Sequence, residues 1–249
     1  MTGRLEGRTA LVTGGARGIG RAIALEFAAQ GAHVLASSVA GDNGIEAAAR
    51  PLPGRLAYHR ADVSDEAQVL DLFAAARATL GRLDILVNNA GILGHKPLLD
   101  TGAEEFDRIV AVNLRGMFLC GREAVRLMTE SEPGGGRIIN MASDLSYLGR
   151  AEFSAYCATK AGAMALTRCW ALEFAPDILV NALCPGPIDT DMLSTETISP
   201  EWREKEMDIP LARFGTPEEV AAMAVFLAGP DAGFVTGQGF GINGGSVMP

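Results

Sequence analysis

The chain has 249 residues, of which 48% are hydrophobic and 30 are glycine, and its formal net charge near neutral pH is −9. This length and composition are typical of one α/β domain with a large core. The negative charge argues against a nucleic-acid partner, which needs a basic surface. No apolar run of about eighteen residues is present to cross a membrane, so no membrane association is expected.

The residue types also bear on metal binding and on the cellular compartment of the protein. The three histidines and the cysteines show no metal-ligand spacing, and no C-x-x-C pair occurs. We therefore expect no metal site. The first residues lack the apolar stretch of a signal peptide, so the sequence predicts a cytoplasmic protein. Reduced, buried side chains are expected for the four cysteines, which are Cys120, Cys157, Cys169 and Cys184.

The first predicted elements are a strand, a glycine-rich turn and a helix. Residues 9–13 read as a short buried strand and residues 21–30 as a helix rich in apolar side chains. Between them lie Gly14, Gly18 and Gly20. A glycine turn at a helix N-terminus arranges backbone N–H groups around an anion and lets a pyrophosphate approach closely. This segment therefore favours dinucleotide binding.

Strands and helices alternate along the rest of the chain. The alternation predicts a single α/β domain over residues 1–249 with a doubly wound, mostly parallel, seven-stranded sheet. Residues 64–66 look like a helix start, and residues 216–219 combine a threonine cap, a proline and two glutamates. The predicted strands are residues 9–13, 33–36, 56–60, 85–88, 137–141, 179–183 and 239–242.

Two of these strands end in segments suited to binding. Asn89, Ala90 and Gly91 follow strand 85–88, and ligands gather at the carboxyl ends of parallel strands. Strand 179–183 leads into a loop in which Pro185 and Pro187 fix the backbone and lower the entropy lost on ordering.

The strongest catalytic pattern is Tyr156 followed four residues later by Lys160, with Ser143 thirteen residues upstream of the tyrosine. Residues i and i+4 share one helix face. A lysine ammonium beside a phenol lowers the phenol's pKa and equips it to exchange a proton with a substrate oxygen. A serine hydroxyl nearby would hold the same oxygen. These residues predict interconversion of a carbonyl and an alcohol.

In this order, the segments resemble the short-chain dehydrogenase/reductase family over nearly the whole chain. The resemblance implies a single-domain Rossmann fold and an oxidoreductase, similar to 3-oxoacyl-[acyl-carrier-protein] reductases and to relatives that act on sugars, polyols or other carbonyls. The motifs that carry it are Thr13-Gly14-x-x-x-Gly18-x-Gly20, Asp62-Val63, Asn88-Asn89-Ala90-Gly91, Asn113, Ser143, Tyr156-x-x-x-Lys160 and Pro185-Gly186.

The resemblance also implies roles for individual residues. Tyr156 is the general acid in reduction and the base in oxidation, and Lys160 lowers its pKa and holds the nicotinamide ribose. Ser143 stabilises the substrate oxygen, and Asn113 holds a water that links Lys160 to solvent. The predicted cofactor-binding residues are Gly14, Arg17, Gly18, Ile19, Gly20, Ser38, Asp62, Val63, Asn89, Ala90, Gly91, Tyr156, Lys160, Pro185, Gly186, Ile188 and Thr190.

The choice of cofactor depends on the end of the second strand. NAD-binding proteins place an acid there to hold the ribose 2′-hydroxyl, but this chain has Ser37 and Ser38 and no acid before Asp42. Arg17 in the glycine turn suits a 2′-phosphate. The sequence thus favours NADP(H), with NAD(H) as the alternative.

The substrate is less well defined. By resemblance, residues 189–214 form a lid over it, and a β-ketoacyl group, a cyclic ketone or a sugar would fit the predicted walls. His95 is either a substrate ligand or a solvated loop residue, and Asp144 either selects a hydroxylated substrate or bonds the adjoining backbone. The predicted walls are Leu93, His95, Asp144, Leu145, Tyr147, Phe153, Pro187, Met192, Leu193 and Trp202.

The sequence leaves two alternative functions open, and the resemblance implies an oligomeric state. One alternative is an NAD-dependent dehydrogenase of polyols or hydroxy compounds. The other is a nucleotide-binding sensor or scaffold without catalysis, against which the complete set of proton-handling residues argues. The resemblance further implies a homotetramer, or a homodimer, that pairs helices at about residues 103–128 and 154–174.

Overall fold

The computed structural model describes residues 3–130, 134–193, 196 and 198–249. It contains one parallel seven-stranded sheet. The strands are β1 (Thr9–Thr13), β2 (His33–Ser38), β3 (Arg55–Arg60), β4 (Ile85–Asn88), β5 (Gly136–Met141), β6 (Ile178–Pro185) and β7 (Gly239–Ile242). The helices are α1 (Gly18–Ala29), α2 (Ile45–Ala49), α3 (Glu66–Leu80), α4 (Ala103–Val110), α5 (Gly116–Thr129), α6 (Ser154–Phe174), α7 (Pro200–Met207) and α8 (Pro217–Ala228).

The strand order is β3-β2-β1-β4-β5-β6-β7, and every neighbouring pair is parallel. The predicted doubly wound α/β fold is therefore confirmed. The order reverses between β1 and β4, which makes a crevice at the carboxyl ends of these strands. One core packs α3, α5 and α6 against one face of the sheet, and a second packs α1 and α8 against the other.

All seven predicted strands are present, with bounds that differ by at most one residue except at the ends of two strands, which extend further than predicted. β2 continues through Ser37 and Ser38, which pair with β3, and β6 continues through Cys184 and Pro185, which pair with β7. In each case a neighbouring strand supplies the partners, so the polar residues and the proline stay extended. The first helix begins at Gly18 rather than at residue 21, because the last glycines of the turn already adopt helical hydrogen bonding.

The predicted helix starts are confirmed, with side chains that satisfy the free N–H groups. At α3 the capping residue is Asp65, whose carboxylate accepts from the N–H groups of Ala67 and Gln68. At α8, Thr216 and Glu219 form a reciprocal capping box.

The helix predicted across residues 103–128 is interrupted. A π-helical turn, Ala111–Arg115, separates α4 from α5 and contains Asn113. Such turns leave irregular backbone hydrogen bonding and are frequent at functional sites.

The segment after β6 that was predicted as a lid contains α7, which is capped by Ser199. A bridge between Ile188 and Gly215, which flank the segment, brings its two ends together. Residues 194, 195 and 197 of this segment lie outside the described residues.

The described helices and the cysteines bear on the expected absence of a membrane span and on the expected thiol burial. Among the described helices, none combines the length and apolarity needed to span a bilayer. All four cysteines are free thiols, but only Cys120 and Cys184 are buried. The expectation of burial was wrong for Cys169, which is exposed on α6, and for Cys157, which is half-buried.

Candidate active site

A cleft with a volume of about 480 Å³ opens at the carboxyl ends of the strands. Every residue predicted to bind the cofactor lines it, as does Ser143. Asn113 does not reach the cleft surface and lies behind it, with 1% of its surface exposed. The sequence-predicted residues thus come together from the carboxyl ends of β1 to β6 and the loops that follow them, from α1 and from α6.

The glycine turn between β1 and α1 makes room at the floor of this cleft. Gly14 has a φ of +63°, a left-handed conformation that favours glycine. A Cβ on Gly20 would lie 2.2 Å from the carbonyl oxygen of Gly14, so only glycine fits there. The empty space above this turn, next to the N-terminus of α1, is suited to a pyrophosphate.

Asn89 fastens this turn to the end of β4. Its Nδ2 donates to the carbonyl oxygens of Thr13 (3.0 Å) and Gly14 (3.1 Å). The backbone N–H groups of Asn89 and Ala90 both donate to Thr13 Oγ1 at 3.1 Å. The Asn89 amide is therefore used to hold the glycine turn, although the residue also lines the cleft.

The end of β2 carries no acid. Ser38 Oγ donates to the carbonyl oxygen of Gly41 at 2.9 Å, and the Tyr58 hydroxyl donates to the carbonyl oxygen of Ser38 at 2.7 Å. Nearby, Arg17 is exposed at the N-terminus of α1. Its guanidinium forms no ion pair or hydrogen bond with the residues that the structure describes, so a free cation stands at this end of the cleft.

Tyr156 and Lys160 project from α6 beneath the end of β5. Lys160 Nζ donates to the carbonyl oxygen of Met141 at 2.7 Å and lies 5.5 Å from the centroid of the Tyr156 ring. Burial lowers the pKa of Lys160 to about 8.

The pKa of Tyr156 shifts in the direction opposite to our expectation. Burial raises it above its usual value, and the charge of Asp144 raises it further, while a hydrogen bond with Ser143 lowers it. Lys160 does not produce the expected lowering in this structure. Instead, the Lys160 ammonium donates to the backbone of Met141, and burial lowers its own pKa.

Asn113 braces the loop after β4. Its Oδ1 accepts from the N–H of Ile92 at 2.8 Å, and its Nδ2 donates to the carbonyl oxygen of Ile92 at 2.9 Å and to Thr159 Oγ1 at 3.3 Å. A Cβ on Gly91 would lie 3.4 Å from Asn113 Oδ1 and 3.8 Å from Lys160 Nζ. Gly91 thus separates the two side chains and leaves a narrow space between them.

The far end of the cleft is aromatic and contains a buried ion pair. Trp202 of α7 lies close to Phe153, with ring centroids 6.1 Å apart, and its buried Nε1 has no hydrogen-bond partner among the described residues. Arg150 donates to Glu206 Oε1 at 2.5 Å, and both line the cleft. Sequence reasoning missed Arg150 and Glu206, which are 56 residues apart and carry no motif.

Two of the predicted substrate walls were wrong. Tyr147 points into the core, where its hydroxyl lies 3.8 Å from both Met164 Sδ and Cys184 Sγ. His95 is an exposed residue that does not line the cleft, stacked on Phe153 at 4.8 Å between ring centroids and bonded to Glu152 at 2.6 Å. The other eight predicted walls line the cleft. No cluster of potential metal ligands occurs in the part of the chain that the structure describes.

Comparisons with known proteins agree with this geometry. A family model described as enoyl-(acyl carrier protein) reductase matches residues 14–246. A 3-oxoacyl-[acyl-carrier-protein] reductase from Thermotoga maritima is 39% identical over 98% of this chain and 100% of its own length. A D-threitol dehydrogenase from Mycolicibacterium smegmatis is 37% identical, covering 98% and 95%. The crystal structure of a putative short-chain alcohol dehydrogenase from Sinorhizobium meliloti superimposes with a TM-score of 0.91 at 37% identity, covering 96% of both chains.

Proposed function

Because the chain belongs to the short-chain dehydrogenase/reductase family of oxidoreductases, we propose that it interconverts a carbonyl and a secondary alcohol with NADP(H), using Tyr156 as general acid and base. The observation that carries the proposal is the convergence of Ser143, Tyr156 and Lys160 at one end of a glycine-floored cleft. A protein that only bound a nucleotide would have no use for a proton donor beside that site.

Each catalytic residue has a separate role in the proposed reaction. When bound, the nicotinamide supplies a hydride to the carbonyl carbon or accepts one from the alcohol carbon. Tyr156 gives its phenolic proton to the substrate oxygen in reduction and takes that proton back in oxidation. Ser143 donates a hydrogen bond to the same oxygen. Lys160 contributes positive charge beneath the tyrosine, and we propose that Asn113 supports the proton path behind it.

Several cleft residues fit a dinucleotide. The glycine turn at the N-terminus of α1 would hold the pyrophosphate, and Asp62 and Val63 would flank the adenine. Ile188 and Thr190 would contact the carboxamide. Residues 189–214 would act as the lid, with Trp202 and Glu206 of α7 covering the substrate end. Assembly as a homotetramer or homodimer stays a prediction, which exposed apolar residues on the proposed interface helices, Phe106, Phe118 and Leu172, support.

The test is the loss of NADPH absorbance when the protein meets a panel of β-ketoacyl thioesters, cyclic ketones and keto-sugars, with NADH measured in parallel. Turnover with at least one carbonyl class is expected. Tight cofactor binding without any turnover across the panel, and without oxidation of the corresponding alcohols, would instead favour the sensor or scaffold.

Arg17 is expected to set the preference for NADPH. Replacing it by methionine should lower kcat/KM for NADPH by about 10- to 100-fold, the equivalent of a lost charge-assisted hydrogen bond to a 2′-phosphate. The value for NADH should change by less than about threefold. Steady-state kinetics with both cofactors measure the ratio.

Arg21→Met is the matched control, because Arg21 lies one turn further along α1 and does not line the cleft. An unchanged NADPH-to-NADH ratio in Arg17→Met would overturn the NADP(H) assignment. It would favour instead an NAD-dependent dehydrogenase of polyols, the alternative that the likeness to a D-threitol dehydrogenase supports.

A further inference from the structure

Asp144, the residue after Ser143, places a carboxylate on the substrate side of the cleft. Its Oδ1 accepts from Ser143 Oγ at 2.9 Å and from the N–H of Leu145 at 2.8 Å. Its Oδ2 accepts from Ser246 Oγ at 2.8 Å. Asp144 forms no ion pair within the described residues, and Arg150, which lines the same cleft, is bonded to Glu206. Two carboxylate oxygens offer about four acceptor sites, so Oδ2 retains capacity for one more donor.

The hydrogen bond from Ser143 to Asp144 competes with the proposed role of Ser143, which is to donate a hydrogen bond to the substrate oxygen. An ionised carboxylate can only accept, so the bond uses the one proton of the Ser143 hydroxyl. Ser143 Oγ also accepts from the N–H of Leu145 at 3.1 Å and is in hydrogen-bond contact with Tyr156, so its position is fixed from three sides. To donate to a substrate oxygen, Ser143 must withdraw its proton from Asp144. A hydrogen bond to a charged group is stronger than one between neutral groups, and a simple ketone offers no donor to replace it.

A substrate with a hydroxyl next to the reacting carbon removes this conflict. Its hydroxyl can donate to Asp144 as the Ser143 proton turns to the reacting oxygen, so that the carboxylate keeps its full set of donors. Resting on the proposed function, we propose that Asp144 is a specificity-determining residue and that the substrate class is an α-hydroxycarbonyl and its vicinal diol. The same carboxylate is tied through Ser246 to the C-terminal loop, which holds it in place while the donors exchange.

The contribution of Asp144 can be measured with substrates that differ by one hydroxyl. The probes are 3-hydroxybutan-2-one against butan-2-one in reduction, and butane-2,3-diol against butan-2-ol in oxidation. In each direction, wild-type protein should prefer the hydroxylated compound by about 10- to 100-fold in kcat/KM. In Asp144→Ala the ratio should fall to within about threefold of unity. Asp144→Asn keeps the shape and an acceptor but loses the charge, so it should retain part of the ratio.

Asp107→Ala, which removes an exposed carboxylate on α4, is the control and should keep the wild-type ratio. Because the readout is a ratio of two substrates, a general loss of activity does not move it, and Asp144→Asn decides the matter if the alanine variant fails to fold. A wild-type ratio near unity, or a ratio unchanged in both Asp144 variants, would overturn this inference alone. Absence of turnover with these compounds and with the whole carbonyl panel would overturn the proposed function and this inference with it.

Discussion

Replacing Tyr156 by phenylalanine is expected to lower kcat by about 1000-fold, within the range that general acid–base catalysis contributes. The change removes the phenolic oxygen and nothing else. Phenylalanine keeps the ring, which packs edge-on against Phe153 with 6.4 Å between centroids. The affinity for NADPH should stay within about fivefold, since one neutral hydrogen bond is worth about 1 kcal/mol. Carbonyl-dependent NADPH oxidation and fluorescence titration with NADPH measure the two quantities.

Tyr147→Phe is a matched control for this prediction. Tyr147 lies nine residues earlier in the chain, and burial raises its pKa to about 12. Among the described residues, the hydrogen-bond partners of its hydroxyl are two sulfur atoms at 3.8 Å, and Tyr147 does not line the cleft. We expect kcat in this variant to stay within about threefold of wild type. If the two tyrosine variants were equally active, Tyr156 would not be the proton donor.

Local patterns predicted the fold and most of the candidate site. The strand, glycine turn and helix around Gly14 are contiguous, so their hydrophobic periodicity and turn chemistry are readable in one short segment. The i and i+4 spacing likewise placed Tyr156 and Lys160 on one face of α6. What the sequence could not indicate depends on residues that only folding brings together.

The contacts of Asp144 and the direction of the Tyr156 pKa illustrate this difference. Ser246 lies 102 residues from Asp144, and no motif links them. The pKa of Tyr156 was predicted from its nearest cationic neighbour in the sequence, Lys160, but burial has the largest effect and raises it. The burial of Tyr156 depends on how β5, α6 and the loop after Ser143 pack together. The sequence spacing of Tyr156 and Lys160 does not indicate this packing.

Replacing Lys160 by methionine is expected to stabilise the fold while it lowers kcat by about 100-fold or more. Lys160 is 5% exposed, and burial lowers its pKa from 10.5 to about 8. The difference corresponds to about 3 kcal/mol of unfavourable free energy in the charged folded state. Methionine removes that cost but also the hydrogen bond to Met141, worth about 1 kcal/mol. At pH 7 the free energy of unfolding should therefore rise by about 1–2 kcal/mol, measured by urea denaturation.

The pH dependence separates this effect from a general change in packing. Because the folded-state pKa is the lower one, the unfolded state binds more protons between about pH 8 and 10.5. The stability of wild-type protein thus gains from this group as pH rises through that window. Lys160→Met lacks this pH-dependent gain in stability. The difference in free energy of unfolding between the variant and wild type should therefore shrink steadily as the pH rises above 8. Lys96→Met, at a half-exposed lysine paired with Glu105, should change stability by less than about 1 kcal/mol with no such slope. Two outcomes would contradict this prediction: a Lys160→Met variant that is less stable than wild type at pH 7, or one whose stability differs from wild type by the same amount at every pH. Either would mean that the buried charge of Lys160 does not destabilise the fold.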